Sequence, residues 1–218
     1  MNKFFGHLKT VMTHRFWVRH YCFMAGLVRQ GFTHDLSKYH PVEFFESVKY
    51  YQGTRSPIDA CKEENGHSKA WLHHRSHNKH HREYWTDYYD KGTYSILVPY
   101  KYAVEMLCDF LGAGRAYMGK NFSYAAERLW WINQLKKGIK IHPHTAHFIT
   151  TVLNELCKVG PDGITAPDII FSRIDDYYYD SYEWLDETAT RGHSMYDYYD
   201  DNLNYKENSL TFIKELDL

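Results

Sequence analysis

Apolar residues between Lys3 and Gln30 recur at helical spacing. Phe4, Leu8, Val11, Met12, Phe16, Val18, Cys22, Met24 and Leu27 interleave with Lys and Arg, which predicts one long helix stopped by Gly31. Positions 14, 18 and 21 share a face of it, so His14 is predicted to look inward beside Val18 and Tyr21. Thr33 or Asp35 offers an N-cap for a short turn, Pro41 suits the first turn of a helix from Val42 to Tyr51, and Gly53 ends it. Residues 54–67, with Pro57 and Gly66, read as a short helix between loops. Ser68 starts a helix predicted to run to about Tyr89, where Asp90-Lys91-Gly92 supplies turn chemistry. Pro99 opens another, carrying Val104, Met106, Leu107, Phe110 and Leu111, and Gly112, Gly114 and Gly119 allow close packing near its end. Ser123 to Lys137 and His144 to Lys158 give two more amphipathic helices, and Ile164 to Ile174 a last short element. No stretch before residue 160 alternates as strands do, so the pattern predicts an all-α body.

Charge divides the chain. Residues 1–160 hold 22 Lys+Arg against 13 Asp+Glu, residues 161–218 hold 4 against 14, and all but one of the 15 histidines precede residue 161. The expectation is a basic helical domain over 1–160 that carries the chemistry, followed by an acidic, Tyr/Asp-rich extension over 161–218. Eight tyrosines between residues 177 and 205 argue that this extension packs on the body or on a partner, with a homo-oligomer as one outcome. The four cysteines form no Cys-x-x-Cys pair and read as free thiols of a reducing compartment. No membrane-length apolar run and no signal-peptide core is present in the sequence, and the expected location is cytoplasmic.

The adjacent pair His34-Asp35 brings in metal chemistry. Its imidazole can bind one ion while its carboxylate bridges to a second or holds a water. Candidate ligands come from four segments: His14, His34 with Asp35, the histidines between 73 and 81, and Asp109 in an apolar stretch. Imidazole with carboxylate suits one or two divalent ions of manganese, iron, zinc, cobalt or nickel. Helical spacing sorts the cluster into His73, His77 and His80 on one stripe and His74 and His81 with Asn78 on another. His74 with His81 is favoured, and His80 is the adjacent candidate if the helix breaks there. Glu105 shares the face of Asp109 and is the rival ligand. His7, His20 and His40 read as surface or hydrogen-bonded core residues, and His142, His144 and His147 as surface residues around Pro143.

The order His14, His34-Asp35, later histidines and Asp109 resembles the HD superfamily of metal-dependent phosphohydrolases, all-helical proteins named for their His-Asp pair. His34-Asp35-Leu36-Ser37-Lys38 looks like the His-Asp-x-x-Lys found in many of them. The stretch from about His14 to Gly119 also resembles a family of unknown function, DUF5662, through Gly31 to Lys38, Arg55 to Ala60, Ala70 to His74, Asn78 to His81 and Pro99 to Gly119. The first resemblance implies an HD-like helical bundle. It implies His14, His34, Asp35 and Asp109 as ligands of one ion, His74 with one or both of His80 and His81 for a second, and Lys38 near the phosphate or the attacking water. The function expected is hydrolysis of a phosphate ester, a nucleotide or cyclic nucleotide, by a metal-activated water. Asp35 would orient or deprotonate that water, while Lys38 with Arg15, Arg19, Arg75 or Lys79 would balance charge on the phosphoryl oxygens. Two other classes stand beside it: a helical di-iron oxygenase using the same ligands, and a non-catalytic module that binds a nucleotide or nucleic acid.

Overall fold

A computed structural model describes residues 2–89, 92–158 and 166–190. Their regular structure is helical, apart from one short antiparallel hairpin. The chain divides into two compact units, residues 1–84 with 104–122 and residues 85–103 with 123–218.

In the first unit, α1 (Lys3–Met24) packs on α2 (Val28–Thr33) and α3 (Pro41–Tyr50), and α3 packs on α4 (Pro57–Asn65) and α5 (Lys69–His77). Residues 104–118 of α6 (Tyr100–Met118) belong to the same unit. The long first helix is therefore two, because Gly26 takes a left-handed φ of 72° just after α1 ends. Gly31, expected as the stop, lies inside α2 instead. A Cβ there would come within 2.7 Å of the Phe23 ring, so its role is close approach. The inward face of α1 is as predicted, with Val11, His14, Val18, Tyr21 and Cys22 buried.

The His-rich helix was predicted to reach Tyr89 but stops at His77. Side chains near its end take over its carbonyls: Asn78 Nδ2 donates to His74 O at 2.7 Å, and Ser76 Oγ donates to His73 O at 2.8 Å. A 3-10 turn (Arg82–Trp85) and a hairpin of β1 (Thr86–Tyr89) and β2 (Gly92–Ser95) follow, a departure from the all-helical expectation before residue 160. Residues 90 and 91 of the expected turn lie outside the described ones.

α6 lies so close to α1 that a Cβ on Gly112 would collide with Val18 Cγ2 and stand 3.0 Å from the Val18 backbone nitrogen. Gly119, by contrast, has open space around it. Because backbone cannot give way as a side chain can, Gly112→Ala is expected to cost about 2 kcal/mol or more in urea unfolding. Unchanged stability would mean that the two helices do not meet this closely.

In the second unit, α7 (Tyr124–Lys136) and α8 (Pro143–Cys157) pack together, with Trp131 Nε1 donating to Thr150 Oγ1 at 2.8 Å. α8 also packs on α9 (Ala166–Ser172) and α10 (Ile174–Thr190). The first Asp/Tyr run thus lies in α10, which buries Ile174, Tyr178 and Ser181. The charge pattern puts a boundary near residue 160, and residues 159–165 lie outside the described ones, as does the second run at 196–201. α9 and α10 share their unit with α7 and α8, so the line between the units is not the one that charge draws.

His142 and His144 are buried, contrary to the surface reading, and His147 is half-buried. Pro143 starts α8 so that His144 Nε2 donates to Tyr178 O at 2.9 Å and His147 Nδ1 meets Ser181 Oγ at 3.0 Å, both on α10. Burial brings all three pKa values down to about 4. A histidine whose folded pKa lies below its unfolded value contributes stability that is complete above the unfolded pKa of about 6.5 and disappears as pH falls towards the folded value. Stability is expected to drop between pH 6.5 and 4, with His144 contributing a slope of about 1.4 kcal/mol per pH unit. Denaturant titrations of the parent and His144→Gln at pH 7 and 5 check this. Equal pH slopes for the two would refute it.

Cys22, Cys61 and Cys108 are buried free thiols, as expected, and Cys157 is half-buried. Among the described residues no helix is long and apolar enough to cross a membrane.

Candidate metal centre

Asp35 sits between α2 and a 3-10 turn over Leu36–Tyr39 with φ 55°, the one non-glycine residue in the left-handed region among the described residues. That conformation costs about 1 kcal/mol or more and persists only where surrounding contacts enforce it. Arg15 supplies the enforcement: its Nε donates to His34 O at 2.9 Å and its Nη2 to Phe32 O at 3.0 Å. The Asp35 side chain makes no cap hydrogen bond of the kind expected at that position. It points inward instead, fully buried.

Around its Oδ2 lies a first group of donors. His14 Nε2 stands 3.1 Å from Asp35 Oδ2, 3.1 Å from Asp109 Oδ1 and 3.2 Å from His34 Nε2. His34 Nε2 stands 3.3 Å from Asp35 Oδ2 and 3.4 Å from Asp109 Oδ1. Donor atoms bound at about 2.0–2.2 Å to one ion stand roughly 2.8–3.6 Å from each other, depending on geometry, which is the spacing of this group.

A second group surrounds the other oxygen. Asp35 Oδ1 lies 3.4 Å from His74 Nε2 and 3.5 Å from His80 Nε2, and His81 completes a set whose donor atoms all fall within 4.8 Å of one another. Asp35 Oδ1 and the Nε2 atoms of His74, His80 and His81 are buried without a hydrogen-bond partner. Buried polar atoms are almost always paired, so four such atoms gathered this closely suit a cation.

Two further carboxylates set the orientation of the rings. Glu43 Oε2 accepts from His74 Nδ1 at 2.7 Å, and its Oε1 accepts from His73 Nδ1 at 2.6 Å. Glu105 Oε1 lies 3.0 Å from His34 Nδ1 and 3.2 Å from His80 Nδ1, one ring from each group. A proton held on Nδ1 leaves Nε2 as a lone pair directed into the centre, the arrangement that carboxylates impose on metal-binding histidines. Glu105, the rival ligand to Asp109, is thus an orienting residue for the two groups, although it also lies within reach of an ion beside His34 and His80.

Charge follows the geometry. Burial by itself would raise the Asp35 carboxyl, but the charges of His34, Lys38 and His74 and a hydrogen bond from His14 hold it well below the usual carboxylate range. Asp109 is likewise held low against burial, by hydrogen bonds from His14 and His34. Burial pulls His34 down, yet Asp35 and its hydrogen-bonded carboxylates outweigh this and hold its pKa well above the ordinary value. Burial and the Lys38 charge push His74 down, and burial with the charges of His80 and His74 pushes His81 well down, so both favour the neutral form that ligates.

All seven sequence-predicted ligands, His14, His34, Asp35, His74, His80, His81 and Asp109, therefore meet in one place. Lys38 joins them, its Nζ 2.9 Å from Asp35 Oδ2, and lines an adjoining cavity of about 170 Å³ together with His14, His74 and Asp109. The other expected phosphate-binding residues do not. Arg19, Arg75 and Lys79 are exposed and none of them lines that cavity, because the site faces the buried sides of α1 and α5. His73 and His77 stack on each other outside both groups. Glu43 was missed, since nothing in the sequence relates it to histidines some thirty positions later.

Residues 3–155 match the model of the Family of unknown function (DUF5662). The chain belongs to that family. No curated protein and no solved structure matches it. The DUF5662 span contains every residue of both donor groups and both orienting carboxylates, whereas α9 and α10 lie beyond it.

Proposed function

We propose that this DUF5662 chain is a metal-dependent phosphohydrolase that holds two divalent ions, with Asp35 shared between them. His14, His34 and Asp109 would complete one set of ligands, and His74, His80 and His81 the other. The observation that carries the reading is the set of partnerless buried atoms, Asp35 Oδ1 with three Nε2 atoms, beside a second group of matching spacing. The same residues, in the same order, carry the resemblance to the HD superfamily, which supports phosphoester hydrolysis as the chemistry.

Ions held there would polarise a phosphoryl oxygen and lower the pKa of a bound water towards neutrality. Lys38, the one lysine or arginine among the described residues lining the cavity, would oppose the charge that builds on the phosphoryl oxygens. Asp35 has one oxygen in each group, so its role is to hold and orient rather than to take up a proton. Glu43 and Glu105 keep the imidazoles in the ligating tautomer.

Metal analysis of the purified chain is expected to find close to two transition-metal ions per chain, and the loaded protein is expected to release phosphate from phosphate esters. A chain that takes up no metal would overturn the reading. Iron accompanied by oxygen consumption, without phosphate release, would move it to the oxygenase class, and bound metal with no turnover would leave a binding module.

A further inference from the structure

We infer that the substrate of this centre is compact, a phosphate monoester of a short hydroxylated carbon chain, rather than the nucleotide that the sequence suggests. The inference rests on the phosphohydrolase reading. The cavity beside the two donor groups measures about 170 Å³, with His14, His74 and Asp109 forming the wall next to the centre. A cavity of about 150 Å³ holds one benzene ring, and pockets for drug-sized ligands span about 300–1,000 Å³. A phosphoryl group with a few carbons fills this space. A nucleoside, with its ribose and base, does not fit inside it.

The wall chemistry agrees with the size. A base needs a flat slot, usually between aromatic faces, and Tyr117 is the one Tyr, Trp or Phe lining the cavity among the described residues. Polyphosphate needs several cations, whereas Lys38 is the one lysine or arginine lining the cavity among the described residues. The lining also offers hydroxyl groups from Ser56 and Tyr117 and the apolar side chains of Pro57 and Ile58. Ser56 occupies the N-cap of α4 but makes no side-chain cap hydrogen bond, which leaves its hydroxyl available to a ligand. Small apolar surface with spare hydroxyls matches a short polyol. The reaction is balanced by water alone: water oxygen bonds to phosphorus, the ester P–O bond breaks, and a water proton passes to the departing alcohol, giving inorganic phosphate and the free polyol.

The test uses the full chain loaded with Mn²⁺: phosphate release is measured from glycerol phosphate and adenosine monophosphate, and ring opening to adenosine monophosphate is measured from 3′,5′-cyclic adenosine monophosphate. kcat/KM for glycerol phosphate is expected to exceed both nucleotides by ~100-fold or more. Tyr117→Phe is expected to raise KM for glycerol phosphate roughly fivefold with kcat retained, the effect of one lost neutral hydrogen bond. Nucleotide turnover equal to or better than that of glycerol phosphate would overturn the inference and leave the hydrolase reading standing. An unchanged KM in Tyr117→Phe would remove the hydroxyl wall from the argument. No turnover of any of the three by metal-replete protein would overturn both readings.

Discussion

Asp35→Ala is expected to abolish binding of both ions and to reduce phosphate release by at least about 10³-fold. The two oxygens of this carboxylate face different donor groups, so one truncation removes a ligand from each. In the second group the remaining members are all imidazoles, and Asp35 is its one carboxylate. Stability should fall as well. Lys38 and His34 lose the buried charge they pair with, and breaking such a pair typically costs about 3–5 kcal/mol. Alanine is also poorly suited to φ 55°, whereas asparagine tolerates it. Asp35→Asn separates the two effects: it is expected to fold with a smaller loss in Tm but to bind metal more than about 100-fold more weakly. Metal titration together with thermal unfolding of both variants gives the answer. An asparagine variant that keeps two ions at parental affinity would exclude Asp35 as the shared ligand.

Glu105→Ala is expected to weaken both ions together, although Glu105 is proposed to bind neither. Its Oε1 orients His34 in one group and His80 in the other, and orienting partners of metal-bound histidines are worth about 10–100-fold in affinity each. The truncation also leaves two buried Nδ1 hydrogens unpaired, at about 1–3 kcal/mol each. Glu105→Gln keeps an acceptor oxygen without the charge, and a loss nearer about 10-fold is expected. Glu43 is the internal control. It orients His74, in the second group alone, so Glu43→Ala is expected to weaken one ion and spare the other. Stepwise metal titration followed by spectroscopy of a cobalt-loaded protein distinguishes the two patterns. If Glu105→Ala weakens a single ion, its link between the groups is wrong.

Much of the site was legible because metal ligands need specific atoms. Imidazole and carboxylate in four segments, two of them on predictable inward helix faces, single out His14 and Asp109 from many other polar residues. Substrate contacts were much less legible. Arg19, Arg75 and Lys79 suggested phosphate binding by charge alone, and charge says nothing about which face of a helix a residue occupies. His144 and His147 were misplaced for a related reason: they bond to α10, whose packing against α8 has no local signal in residues 142–147. The end of α5 carried a signal that could have been used, since Ser76, His77 and Asn78 all offer side chains that compete for helix carbonyls.

The sequence by itself determined the helical class and the positions of most helices, and it picked out the seven candidate donors that the fold brings together, because helix periodicity, caps and side-chain chemistry are properties of short segments. The tertiary structure decided how those donors divide into two groups around Asp35, which atoms of each ring face inward, and that Glu43 and Glu105 do the orienting. Those outcomes depend on distances of about 3 Å between residues as far apart in the chain as His14 and Asp109. Such distances are set by the packing of α1, α3, α5 and α6 and by the left-handed backbone of Asp35. No local pattern of polar and apolar residues carries that information.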